Sequence, residues 1–495
     1  MEEAFTSNRS NDIFAAVEKN DIKKVQSLLK NGASVNVWSS HGQSLLHIAV
    51  YKGFEKMVDV LLDNGAHIDA KNKGGKTPLA LAAFNNRIGI AKILIKYKAR
   101  LEDKTRKGRT PLHIVAEKGF FKIAMYLIAN GADLESIDDQ GWTPLHIATY
   151  FNKYEVTSIL LKHGANLEAR TPTGDSPLNI ASKFGLKGVA GILLKYKANS
   201  NTRNHLSFTP LCSATWNNQK EIVHILIENN ADVDCMTNDG STPLFYAAGR
   251  GFYEIAEILI QNGANLEVKN NSGWTPLHVT IVNNKAEMLL LLIKHGALVE
   301  QEMALNRYPL HFASRAGFKD IVEILINSGA DINRRDINGC TPLNEAVYFH
   351  QTKIVQTMLD NKADTEIPDI NGFTPLHIAA LANFKILKIL IDNGSNVNSK
   401  NSIGITPLHC AIVRKNRDVC EALILNGADI DAKIDNIGTP MHLAVKVTSV
   451  KTVKLLNKYN ANSFIRDHNG NCAFEFALLK KHLEIGKVFM THSMN

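Results

Sequence analysis

Residues 108–140 read GRTPLHIVAEKGFFKIAMYLIANGADLESIDDQ. Thr110 offers a hydroxyl suited to a helix N-cap, and Pro111 suits the first helical position, where its missing N–H leaves no donor unpaired. Leu112 and Val115 give an apolar stripe to a short helix that Gly119 closes as a left-handed C-terminal glycine. The next apolar set, Ile123, Ala124, Leu127 and Ile128, predicts a second helix over roughly residues 121–129. Asn130-Gly131 ends it, and Asp139-Gln140-Gly141 is a polar turn before Thr143-Pro144 starts the cycle again. Each helix has only about two turns and would not persist alone in water. Its stability must come from neighbouring units.

Twelve of the fourteen prolines fall on one ruler: Pro78, Pro111, Pro144, Pro177, Pro210, Pro243, Pro276, Pro309, Pro342, Pro375, Pro407 and Pro440, spaced 33 residues apart except for a step of 32 into Pro407. A fixed period of this size marks stacked repeats that share one continuous core. The unit resembles the ankyrin repeat, whose T-P-L-H-x-A pattern recurs at Thr110-Pro111-Leu112-His113, Thr143-Pro144-Leu145-His146, Thr275-Pro276-Leu277-His278, Thr374-Pro375-Leu376-His377 and Thr406-Pro407-Leu408-His409. Asn-Gly-Ala endings recur at residues 64–66, 130–132, 262–264 and 426–428.

The resemblance covers nearly the whole chain, as about fifteen repeats. It implies an all-α repeat solenoid, each repeat a helix–turn–helix with a hairpin-like loop. The expected organisation is one solenoid over 1–495, with a capping repeat at 8–41, internal repeats at 42–469 and a second cap at 470–495. The first repeat has Asp12 where proline is expected, and the last reads Asn471-Cys472-Ala473-Phe474. Two local departures stand out. The hairpin Gln301-Glu302-Met303-Ala304-Leu305-Asn306-Arg307-Tyr308 has no turn glycine, and the short step drops one residue between helices near Leu381 to Phe384.

Composition agrees with a folded protein, with 45% hydrophobic and 21% charged residues. No apolar run approaches the ~18 residues of a membrane span, so no membrane insertion is expected. The N-terminal stretch lacks the basic and apolar blocks of a signal peptide. Six scattered cysteines form no CxxC pair, which argues for reduced thiols and a cytoplasmic location. The net charge of +8 is unevenly spread: residues 71–109 hold twelve Lys/Arg against Glu102 and Asp103, leaving the remainder slightly acidic.

Eight histidines (His47, His113, His146, His278, His311, His377, His409 and His442) recur at the repeat period. Ligands for a metal must converge on one point, and these are whole repeats apart, so each is read as a hydrogen-bonding residue of its own turn. The sequence holds no Walker-type loop, HExxH or GxSxG. A non-catalytic protein with no cofactor, no metal and no small-molecule substrate is the expectation.

The ankyrin resemblance implies that partners bind along hairpin tips and the inner row of helices. The tip positions carry Lys71, Lys73 and Lys76 in one repeat, then Lys104, Arg106, Lys107 and Arg109 in the next. Aromatics occupy the inner lanes. Six residues after the ladder position stand Tyr51, Phe84, Tyr150, Trp216 and Tyr348; two before it stand Trp142, Phe208, Trp274 and Phe373. The expected function is a scaffold or adaptor acting as a monomer. It would bind a protein or peptide across repeats two to seven, and clustered cations suit an acidic or phosphorylated partner. A secreted pathogen or symbiont effector is the alternative reading, and a nucleic-acid-associated protein ranks below it because the basic patch is confined to a few repeats. Asn333, within Leu325–Asn333, resembles the asparagine hydroxylated in some ankyrin repeats, a candidate modification set against a plain hairpin-stabilising role.

Overall fold

The computed structural model describes residues 11–302 and 307–492, with side chains through residue 490. Residues 303–306 of the glycine-free hairpin lie outside the described residues. Short helices alternate along the chain, and the repeat at 108–140 folds as Pro111–Lys118 followed by Phe121–Ala129. Among the described residues strand pairing is limited to isolated bridges such as Trp38 with Ser44.

The helix starts follow from their caps. Thr110 Oγ1 accepts from the His113 N–H, the His113 ring receives the Thr110 N–H, and Pro111 fills the first helical position. The same box recurs at Thr143, Ser176 and Thr275. Gly119 (φ 82°) closes its helix in the left-handed region as the sequence expects. Where the 33-residue step shortens, Asn383 ends Pro375–Ala382 and caps Phe384–Asp392 at once, its Oδ1 accepting from Ile386 N. One extended residue replaces the usual left-handed linker.

Two compact units are present: Met1–Ala247 with Glu254–Asn265, and Ala248–Tyr253 with Leu266–Asn495. In the first, first helices pack on first helices of the next repeat, and second on second. Leu79, Leu112, Leu145, Leu178 and Leu211 form a buried stack in one row, and Leu94, Leu127, Leu160, Leu193 and Leu226 form another. Each such side chain contributes about 1.5–3 kcal/mol relative to exposure, which is why two-turn helices survive here.

Hydrogen bonds also cross from repeat to repeat. A side chain nine residues before each ladder position accepts a backbone N–H from the next repeat: Asp69 from Arg100, Glu102 from Asp133, Glu135 from Asn166 and Asn333 from Asp364, each across 31 residues. The span is 30 residues from Glu366 to Asn396, where the shortened step intervenes.

Candidate partner-binding face

The basic hairpins are stacked and stitched. Lys71 Nζ donates to Lys104 O at 2.9 Å, and Lys104 Nζ donates to Ile137 O at 2.7 Å. Arg203 repeats the contact with Met236 O further along. Lys73 Nζ donates to Ser40 O at 2.8 Å, its stem lying over Gly42. Arg106 likewise lies over Gly75 (φ +72°), where an added Cβ would stand 2.8 Å from Arg106 N. Glycine is therefore needed in that turn both for its backbone angle and for the approach of the next hairpin. Lys71, Lys73, Lys104, Arg106 and Lys107 all remain exposed. Lys71 and Lys104 thus hold hairpins together while presenting charge.

Arg109 turns inward instead. Its guanidinium pairs with Glu117, and with Asp138 of the next hairpin at 3.4 Å, and its side chain is only 19% exposed. It belongs to an internal ion network and is not part of the exposed patch. Lys76 is half-buried, with Nζ 3.5 Å from the Phe84 ring centre; Lys118 Nζ stands 4.9 Å from the same ring. Burial and then the nearby Lys118 charge hold the Lys76 ammonium below its usual range.

The inner-row aromatics form two clusters. Trp142 meets Tyr150 edge-on at 5.3 Å, and Tyr150 meets Phe151 at 5.2 Å and Phe184 at 5.1 Å. Farther along, Phe208 stacks on Tyr246 at 5.5 Å, and Trp216 meets Tyr246 edge-on at 5.0 Å. Tyr150 and Trp216 remain 42% and 39% exposed. Tyr51, more exposed still, joins neither cluster. A cavity of about 500 Å³ opens along the second cluster, with Asp175, Lys183 and Asp239 in its lining. Phe151, Phe184 and Tyr246 were not among the expected site residues; they sit outside the two lanes, and only the fold brings their rings to the others.

The repeated histidines are structural. His113 Nε2 lies 2.9 Å from Trp142 O and His146 Nε2 lies 3.0 Å from Ala169 O, so each ring also bridges to the following hairpin. Burial holds the His113 imidazole below its usual range, and those of His146 and His409 down to about 4. Cys212 takes the histidine position of its repeat, its Sγ 3.3 Å from Cys235 Sγ, and both are free thiols. Asn333 is engaged as an acceptor in the inter-repeat lane. Among the described residues no group of three His, Cys, Asp or Glu could hold a metal ion, and no helix is long and apolar enough to cross a membrane.

A stack of paired two-turn helices, with apolar and capping residues inside and charged or aromatic ones gathered on hairpin tips and the inner row, defines a repeat scaffold for protein interaction. A family model described as ankyrin repeats (3 copies) matches residues 13–105, 97–171, 167–237, 229–303, 297–369 and 361–434. The chain belongs to the ankyrin-repeat family. No curated protein sequence matches it.

Proposed function

We propose that the groove of the first unit binds a peptide or protein segment, with acidic residues of the partner on the hairpins and its apolar side chains on the inner row. The supporting observation is the shared unit of five exposed cations (Lys71, Lys73, Lys104, Arg106, Lys107) and two half-exposed aromatic clusters. Ankyrin repeats serve generally as protein-interaction scaffolds, and the side chains here supply both a long-range charge and hot-spot residue types.

The test separates surface cations from internal ones. Peptides are selected from a displayed random library against the full chain, then measured against Lys73→Glu, Arg106→Glu and Lys107→Glu combined. Arg109 is left in place, because reversing it would break its pairs with Glu117 and Asp138. Selected peptides should be rich in Asp and Glu, and the triple variant should weaken them by about tenfold or more at low salt, with a smaller effect at high salt. Unchanged affinity at low salt would remove the hairpins from the binding face.

A further inference from the structure

We propose that Cys212 and Cys235 form a site of reversible oxidation, closing to a disulfide that ties helix Pro210–Trp216 to the hairpin after its repeat. The pair stands where other repeats make a polar stitch. His146 Nε2 lies 3.0 Å from Ala169 O and His278 Nε2 lies 3.1 Å from Gln301 O, each across 23 residues. Cys212 and Cys235 have the same separation of 23 residues, but the shorter side chain leaves the Cys212 sulfur 3.8 Å from the Cys235 carbonyl. A second sulfur fills the gap, 3.3 Å from the first. A disulfide bond is about 2.0 Å long, so bonding asks the two sulfurs to close by roughly one ångström.

Both side chains are buried, at 0% and 2% exposed, which shields them while the hairpin is shut. Cys235 nevertheless adjoins Met236, which is 43% exposed. Local opening of a surface hairpin costs less than unfolding helices packed on both sides. Opening carries Cys235 outward, where its thiolate attacks one sulfur of a small-molecule disulfide such as oxidised glutathione. A mixed disulfide forms and one glutathione thiolate leaves. As the hairpin closes, the Cys212 thiolate attacks the Cys235 sulfur and expels the second glutathione. Two electrons pass from the protein thiols to the small disulfide, and the two thiol protons go with them to give two molecules of reduced glutathione.

The bond has a consequence for the cavity nearby. Trp216 stands on the tied helix, and Thr237, two residues beyond Cys235, has its hydroxyl 2.8 Å from that of Tyr246. Trp216, Thr237 and Tyr246 all line the cavity. Oxidation therefore joins two of its walls and fastens the hairpin to the helix beneath.

The experiment exposes the reduced full chain to excess oxidised glutathione, in buffer and again in urea just below the unfolding transition, where access no longer limits exchange. Remaining thiols are alkylated in denaturant, and the chain is mapped by mass spectrometry. Most molecules should yield a Cys212–Cys235 cross-linked peptide that reduction releases. Amide exchange across residues 232–241 should slow by about tenfold in the oxidised chain. Cys212→Ser under the same treatment should keep the exchange of the reduced parent; Cys235→Ser serves the same purpose, and circular dichroism confirms that each is folded. Alkylation of both Cys212 and Cys235 in both solutions, or a link made instead through Cys340, Cys410, Cys420 or Cys472, would overturn the site. A Cys212–Cys235 link with unchanged exchange, or equal slowing in the serine variants, would overturn the fastening of the hairpin.

Discussion

His146 shows how much one side chain does in this architecture. Its Nε2–H donates to Ala169 O, so Nδ1 must be the acceptor for the Thr143 N–H and hydroxyl that cap the helix. Burial opposes a charge on the ring and outweighs the Ala169 carbonyl, which favours the protonated form, so the folded-state value is about 4 against 6.5. Below pH 6.5 the unfolded chain takes up the proton and the folded chain does not, so stability falls as pH drops toward 4, by about 2 kcal/mol for this residue at pH 5. The repeat at Ser176 contains a non-titrating version: Asn179 Oδ1 accepts from Ser176, and Asn179 Nδ2 donates to Phe208 O at 3.1 Å. His146→Asn should therefore keep the fold at pH 7 and narrow the gap between thermal midpoints at pH 7 and pH 5. An unaltered gap would place the acid sensitivity elsewhere. The structural role of the histidines was readable from their spacing, but the bond to the next repeat was not, because its acceptor lies 23 or 29 residues away. Arg109 was misplaced for a similar reason: Asp138, in the following hairpin, helps draw it inward.

At the level of the helix pair, proline with a preceding Ser or Thr made the first-helix starts legible except at Tyr308-Pro309, and the second helix at Phe121–Ala129 falls where apolar spacing put it. The shortened step was visible only as a missing residue. Its physical form is Asn383, extended at φ −144° and ψ 100°, where comparable linkers use a left-handed residue such as Asn86 or Asn218. Because one side chain caps Phe384–Asp392 and its backbone ends the preceding helix, the junction has no second residue to compensate. Asn383→Ala should cost about 1 kcal/mol, seen as faster amide hydrogen exchange across Phe384–Asp392, while Asn383→Asp should retain the cap and the protection. Equal protection in the alanine variant would mean that packing of Ile386, Leu387 and Leu390 alone sets this helix.

Over the whole chain, the uneven charge decides how binding should respond to salt. The excess of cations is concentrated in residues 71–109, and the rest of the sequence is near neutral. Screening at physiological salt acts over about 8 Å, close to the ~10 Å diameter of a helix, so each hairpin shares its field mainly with its immediate neighbours. The exposed cations should then govern encounter with a partner, and the aromatic clusters should govern how long it stays. Sequence position made the lanes visible; ring-to-ring contact, which joins Phe184 and Tyr246 to the expected aromatics, required the fold. Trp142→Ala and Trp216→Ala, each compared with the parent chain on the same selected peptide, should raise the dissociation rate by about tenfold, as hot-spot truncations do. Their association rates and salt dependence should stay close to those of the parent. The charge-reversed hairpin variant should do the opposite, slowing association steeply at low salt with little change in dissociation. Were the tryptophan variants to alter salt dependence instead, the aromatic row would be acting by holding the charged hairpins in place, and contact with the partner would have to be assigned elsewhere.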